Sequence, residues 1–201
     1  MAQKDKAESP IGTRDAILTA ALALFSRKGF EGTSMRDIAG EVGITQGAIY
    51  KHFKSKDDVL DAICARMEQS DREHAEDANV PADNPAPAEA VSPEAFRTFT
   101  LDMFSYWACD EMAAPFRRML EIDRFRTPHM QELHAQYLGA GPLEYTSECL
   151  MGMSVGKSDA RRLAIMLWGT FRLLLELVDA GELACEEACS ELRRMLEYLA
   201  F

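Results

Sequence analysis

The sequence predicts an all-α protein: an N-terminal three-helix unit with a helix-turn-helix followed by a larger C-terminal helical domain with a dimerisation face. Three observations predict it. Apolar residues recur at i, i+3, i+4 and i+7 through most of the chain, the spacing of a helix face. A glycine-turned pair of short helices occupies Thr33 to Phe53. The last 45 or so residues form a helical pair whose first member is apolar on two faces, more surface than one neighbour covers. The boundaries that follow are an arm over 1–12, the DNA-binding unit over 13–56, a connecting helix over 57–76, a Pro-rich linker over 77–92 and the larger domain over 93–201.

The first helix is expected from Thr13 to Lys28, with Ile17, Ala20, Ala21, Leu24 and Phe25 as its buried stripe. Its job is support. Gly29 and Gly32 bracket Phe30, which plugs the small core. In the next helix Met35, Ile38, Ala39 and Val42 share a face, and Ser34 followed by Asp37 has the spacing of a capping box with Asp in place of Glu. Gly43 stops that helix, because the position past a helix end often needs positive φ. Thr45 caps the third helix, where Ala48, Ile49 and Phe53 point inward and Gln46, Gly47, Tyr50 and Lys51 are left outside. Gly47 there costs up to about 1 kcal/mol relative to Ala. Close approach of another surface explains it. Two helices joined by a tight glycine turn, the second with amide, hydroxyl and cationic groups at its start, describe a helix-turn-helix whose second helix enters the major groove.

Ser55 starts a fourth helix, with Asp58 at capping-box spacing, that carries Val59, Leu60, Ile63, Cys64 and Met67 to about His74. Lys56 opposes the dipole at that helix's start, which points to an anionic partner such as phosphate. The run from Glu76 to Glu94 then holds four prolines and almost no large apolar residue, the composition of a linker. Pro93 opens a helix with Phe96, Phe99, Thr100, Met103, Phe104 and Trp107 inside; Pro115 opens another with Phe116, Met119, Leu120, Asp123 and Phe125. A third, from Pro128, is broken at Gly139, Gly141 and Pro142 and resumes through Met151. The final pair runs from Ser158 to Asp179 and from Glu186 to Ala200, turning at Gly181. Leu163, Met166, Leu167, Thr170, Leu174 and Leu177 form one face of its first member, and Ala164, Trp168, Phe171, Leu175 and Val178 the other. Its second carries the stripe Cys185, Ala188, Cys189, Leu192, Met195, Leu196 and Leu199. A two-fold four-helix interface built from both is expected.

Charge is unevenly placed. Net charge is -11, but through Asp58 nine Lys or Arg stand against eight Asp or Glu, so the acidity lies beyond the proposed reading head. Binding to nucleic acid then depends on a few placed contacts, not on a broad basic surface. No run of about 18 apolar residues suggests a membrane span, and the first ten residues lack an apolar signal core, so a cytoplasmic location is expected. Five cysteines without a CxxC pair predict reduced thiols rather than a disulfide framework or zinc ribbon.

The segment from Ile17 to Leu60 resembles the N-terminal domain of the TetR family of bacterial transcriptional regulators. The matching pieces are Leu24 to Phe30, Thr33 to Ala39, Gly43 to Phe53 and Ser55 to Leu60, in that order. The Pro-rich segment departs from the shorter turn more usual in the family between its fourth and fifth helices. The resemblance implies Gln46 and Gly47 at base edges, where a Gln pairs with adenine. Thr33, Ser34, Thr45, Tyr50, His52 and Lys56 suit backbone contacts, Arg36 either kind, and Lys51 is a further DNA-binding candidate. It also implies a homodimer on double-stranded operator DNA, most simply a repressor, with a small-molecule effector. An apolar or aromatic compound fits the methionines and aromatics of the larger domain: Met103, Tyr106, Trp107, Phe116, Met119, Phe125, Tyr137, Met151, Trp168 and Phe171. Coupling is expected through Ile63, Cys64 and Met67, with the linker too soft to push.

Three alternatives stand beside this reading. A thiol- or metal-responsive regulator would use Cys185 and Cys189, spaced i and i+4, or His129 and His134; the cysteines read as small buried hydrophobes, and no metal ligand set is assigned. A helical enzyme would need a motif, yet HExxH, GxSxG, Walker and GxGxxG patterns are all missing, and Glu111, Glu121 and Asp123 do not repeat the ExxH spacing of di-metal bundles. No catalysis and no cofactor are expected. A DNA-binding dimer without a ligand is the third, and a filled core would favour it.

Overall fold

The computed structural model describes residues 12–82 and 91–198. The arm lies outside these except for Gly12, as do residues 83–90 of the linker. Ten helices are described: α1 (Thr13–Lys28), α2 (Met35–Val42), α3 (Gln46–Ile49), α4 (Lys56–Asp77), α5 (Pro93–Cys109), α6 (Ala113–Asp123), α7 (Pro128–Leu138), α8 (Ala140–Gly152), α9 (Lys157–Asp179) and α10 (Cys185–Tyr198). No strand occurs among the described residues. None of the described helices is long and apolar enough to cross a membrane.

In α1, Ile17, Ala21, Leu24 and Phe25 are buried as expected, Ala20 only partly, and Leu18 and Leu22 are buried as well. The stripe is wider than predicted because α1 is covered on two sides, by α2 and α4 within the head and by α6 from the larger domain. One continuous core therefore runs from Phe25 through Met67 to Phe171. Capping follows the sequence closely. The Ser34 hydroxyl accepts from the Asp37 amide while the Asp37 carboxylate accepts from the Ser34 amide, and Gly43 ends α2 at φ 76°. At α4 the Ser55 hydroxyl accepts from the Asp58 amide, but the Asp58 carboxylate takes the amide of Lys54 instead of that of Ser55.

The larger domain wraps α5 to α10 around a shared aromatic centre. Trp107 and Phe116 each lie against Tyr137, the Phe116 ring edge-on at 5.0 Å. The α7–α8 break falls at Gly139. Arg117, 3% exposed, ties α6 to the end of α9 through a forked pair with Asp179, and its Nε donates to the Trp107 carbonyl. Burial would raise the Asp179 carboxyl, but Arg117 and Arg118 outweigh it and hold the group below its usual range.

One expectation is corrected. Cys109 and Cys185 form a disulfide across 76 residues, joining the end of α5 to the start of α10. An odd cysteine count with no short spacing hides such a pair, which only the packing of α10 on α5 brings together. Met166 is 60% exposed, not covered within the chain. With Ile165 and Leu173 it leaves an apolar strip on α9, while the buried Ala188, Leu192 and Leu196 of α10 are used against α5 and α9.

Candidate nucleic-acid interface and effector cavity

Thr45 fixes the start of α3: its hydroxyl accepts from the Ala48 amide at 3.2 Å. Ile49 and Phe53, both buried, seat the helix on the head's core, with Ala48 half-buried between them. The opposite face is open. Gln46, Gly47, Lys51 and His52 are exposed, and Tyr50 is 47% exposed. A methyl group at Gly47 would meet nothing within 4 Å, so packing inside the chain does not require glycine there. Arg36 on α2 is also exposed. Arg14, which the sequence reading did not single out, lies over the Phe53 ring at 4.9 Å and brings a cation beside α3.

Two of the backbone-contact candidates are committed elsewhere. Thr33 is 2% exposed and its hydroxyl donates to the Gly29 carbonyl. Lys56 donates its ammonium to the Phe30 carbonyl at 2.6 Å and sits 4.2 Å over the Phe30 ring, so the cation at a helix start is explained by an internal partner instead of a phosphate. Ser34 is exposed but its hydroxyl also donates to Asp37 at 2.6 Å. That bond, with the backbone one, holds the Asp37 carboxyl below its usual range. Here the sequence identified the surface but not which polar groups the head itself consumes.

Beneath the head, α4, α5, α7, α8 and α9 line a half-open cavity of about 540 Å³. Of the predicted residues Met103, Trp107, Tyr137, Trp168 and Phe171 line it. Tyr106, Phe116 and Met119 are buried in the core beside it and do not reach it. Phe125 is 82% exposed, past the end of α6 and stacked under Arg124, and Met151 is 37% exposed on the outer side of α8. Neither belongs to the site. Helix periodicity gives a face, but which faces converge is a property of the packing.

The wall also holds Phe96, Phe99, Thr100, Gln136, Tyr145 and Thr146, and Pro81 and Ala82 from the segment after α4. The described ends of that segment are anchored. The Tyr145 hydroxyl donates to the Pro81 carbonyl at 2.9 Å, and Val80 and Val91 are buried at either end of it. The expected soft linker thus contributes cavity wall at 81 and 82. From α4 come Glu68, Asp71, Arg72 and Ala75. Asp71 interrupts the buried stripe Leu60, Ile63, Met67 and Ala75, and that interruption was the one signal in the sequence that could have found it.

Burial pushes the Asp71 carboxyl up to about 7, with Glu68 adding to the rise and His74 opposing it. The folded protein therefore keeps a proton that the unfolded chain releases in the ordinary carboxylate range. The cost of ionising this group grows as pH climbs toward about 7 and is constant above. Asp71→Asn is expected to raise the melting temperature by roughly 3–6 °C at pH 8, with the gain shrinking toward pH 5. A gain independent of pH would show that Asp71 is not the group responsible.

Glu121 and His134 do not assemble with Asp123 into a metal site. Glu121 pairs with Arg172, and the His134 ring lies 3.6 Å from it, its basicity lowered by burial. Among the described residues no group of three or more His, Cys, Asp or Glu is placed to hold a metal ion.

Residues 17–63 match the family model for bacterial regulatory proteins of the tetR family. Over 63 residues the chain is 49% identical to the transcriptional regulator AcrR of Shigella flexneri, a match covering 31% of this chain and 29% of AcrR. The chain spans about 29% of the length of both AcrR and the Mycolicibacterium smegmatis repressor KstR2, so these likenesses concern the head. A longer match decides the family: 30% identity over 163 residues to the regulator SrpR of Pseudomonas putida, covering 78% of this chain and 76% of SrpR. The chain belongs to the TetR family. It is a transcriptional regulator with a helix-turn-helix DNA-binding head, not an enzyme. The fold of the regulator agrees throughout. A TerR/AcrR-family regulator from Aquifex aeolicus VF5 superposes with a TM-score of 0.71 at 20% identity, covering 94% of this chain and 100% of that one. The SmeT–triclosan complex superposes at 0.68 with 22% identity, covering 92% and 90%.

Proposed function

We propose that the regulator is a repressor that binds a near-palindromic operator as a homodimer and leaves it when a small apolar or aromatic compound fills the cavity. One observation carries the reading: α4 belongs to both sites. Its first half seats the head through Val59, Leu60 and Ile63, and its second half supplies Glu68, Asp71, Arg72 and Ala75 to the cavity. A ligand that prefers one position of α4 then shifts the head, and it can do so only by its difference in affinity for the two states, typically about 1–3 kcal/mol. Gln46 and Gly47 meet base edges; Ser34, Thr45, Tyr50, Lys51 and His52 meet the backbone, with Arg36 able to do either. The apolar strip Ile165, Met166 and Leu173 on α9 supplies the partner contact, and a two-fold axis there sets two heads side by side. SmeT, a structural neighbour, has been solved with triclosan, in keeping with a small-molecule effector here.

Footprinting of the purified protein on its own upstream region tests this. Protection of two inverted half-sites about one helical turn apart, or a multiple of it, is expected. A single asymmetric site occupied by one protomer would refute the dimeric reading.

A second form of control is favoured by the Cys109–Cys185 disulfide, which staples the cavity helix α5 to α10. Operator affinity measured with and without dithiothreitol separates the two: equal affinities leave the effector as the only switch.

A further inference from the structure

We propose that Arg14 is a DNA-backbone contact, a cation held on the flank of α3 that grips one operator phosphate from outside the helix-turn-helix. This rests on the α3 face being the DNA surface and adds to it a residue of α1.

The Arg14 guanidinium lies 4.9 Å from the centroid of the Phe53 ring, and the Phe53 amide donates to the Ile49 carbonyl, so the cation rests on the turn that closes α3. Arg14 is exposed all the same, and among the described residues no carboxylate pairs with it. The adjacent acid is already taken: Asp15 Oδ1 accepts from Arg66 Nη1 of α4 at 3.0 Å. Other cations of the head are answered inside it, Arg27 by Glu41 and Lys56 by the Phe30 carbonyl. Arg14 therefore combines a fixed position with an unanswered charge.

The chemistry of that combination selects a phosphate. A guanidinium already stacked on a ring loses less freedom when it forms further bonds, and its fork of N–H donors matches two oxygens of one phosphate. Base edges are a poorer match. Arg14 sits beside residue 53, past the end of α3 at Ile49, and α1 is not the helix that enters the groove. With a net charge of -11 the chain has no broad basic surface to hold DNA, so each placed cation carries a large share of the binding.

Anisotropy titrations at several salt concentrations, on the duplex protected in the footprint and on a scrambled one, read the contact. Arg14→Ala is expected to weaken both by about ten-fold and to lower the salt dependence by about two ions for the dimer. Arg14→Gln keeps the stem over Phe53 without the charge; it should show the same loss with a melting temperature within about 1 °C of the parent. Arg14→Lys should restore the salt dependence but not the full affinity, because a point charge lacks the fork. Arg162→Ala makes the same change of charge about 25 Å along α9 from the end that meets α6, and should alter neither quantity. Neutralising operator phosphates one at a time as methylphosphonates should find a position at the flank of each half-site that weakens the parent about five-fold and Arg14→Gln less than about two-fold. No such position, an unchanged salt dependence in Arg14→Gln, or a loss confined to the operator would overturn the phosphate assignment and leave the reading face standing. A parent protein that binds no upstream duplex would overturn the DNA surface and this inference together.

Discussion

Gln46→Ala is expected to weaken operator binding by about ten-fold or more while leaving the melting temperature within about 1 °C of the parent. The two halves of that expectation have separate physical grounds. The side chain is exposed at the first position of α3 and makes no side-chain hydrogen bond among the described residues, so the folded protein loses nothing but a solvated amide. A bidentate pair from Gln to adenine is worth about 1–3 kcal/mol of discrimination, and a dimer loses it twice. Because the loss is of base readout and not of charge, binding to random DNA should be unchanged and the salt dependence of operator binding preserved. Lys51→Ala is the natural contrast. It should weaken binding to all sequences alike and flatten the salt dependence by about one ion per protomer, about two for the dimer. Anisotropy titrations of operator and scrambled duplexes at several salt concentrations make the comparison; equal losses on both duplexes for Gln46→Ala would remove the base-reading role.

Asp123→Ala should lower the melting temperature by roughly 5–10 °C, the largest stability effect expected of a polar residue in this protein. Asp123 is fully buried at the end of α6, and its Oδ2 accepts from the Phe30 amide at 2.6 Å, a charge-assisted bond across the junction of the two domains. Arg126 Nε lies 3.0 Å from Oδ1 as an ion pair without hydrogen-bond alignment. The turn it grips has been shaped for it: Gly29 has φ 77°, and a methyl group there would lie 2.8 Å from Oδ1. Removing the carboxylate strands the Phe30 amide in the core, which costs about 1–3 kcal/mol, more when the lost partner was charged. Asp123→Asn keeps an acceptor and should lose less. Amide exchange gives the local readout: Phe30 should exchange much faster in Asp123→Ala, whereas exchange in α9 changes only as far as global stability does. Parent-like protection at Phe30 would mean that this contact does not hold the head to the body. The same contact bears on switching. Coupling was expected through α4 alone, yet the α1–α6 packing centred on Asp123 gives the larger domain a second grip on the head.

How far the residues themselves led can be judged from individual positions. Thr13–Lys28 as the first helix, the Ser34–Asp37 capping box, positive φ at Gly43 and Thr45 as the cap of α3 all follow from interactions within a few residues, and each is found. Half of the proposed cavity residues followed as well, since apolar periodicity marks a buried face. Thr33 and Lys56 went astray for a shared reason. Both have the chemistry to meet a phosphate, and both are spent on carbonyls brought near by the Gly29–Phe30 turn, 26 residues away in the case of Lys56. Phe125 falls past the end of its helix and Met151 on the outer side of its own.

By itself, then, the chain determined its helices, their caps, the exposure of Gln46, Gly47, Tyr50 and Lys51 and the family to which it belongs. Those are set by short-range sterics, hydrogen bonds and the 3.6-residue period. Tertiary structure alone decided that Cys109 meets Cys185, that Asp123 clasps Phe30, and that Oδ1 of Asp71 is buried without a hydrogen-bond partner. Each of these depends on which helix faces converge, and that is fixed by burying the whole apolar surface at once, a sum over distant residues that no local window contains.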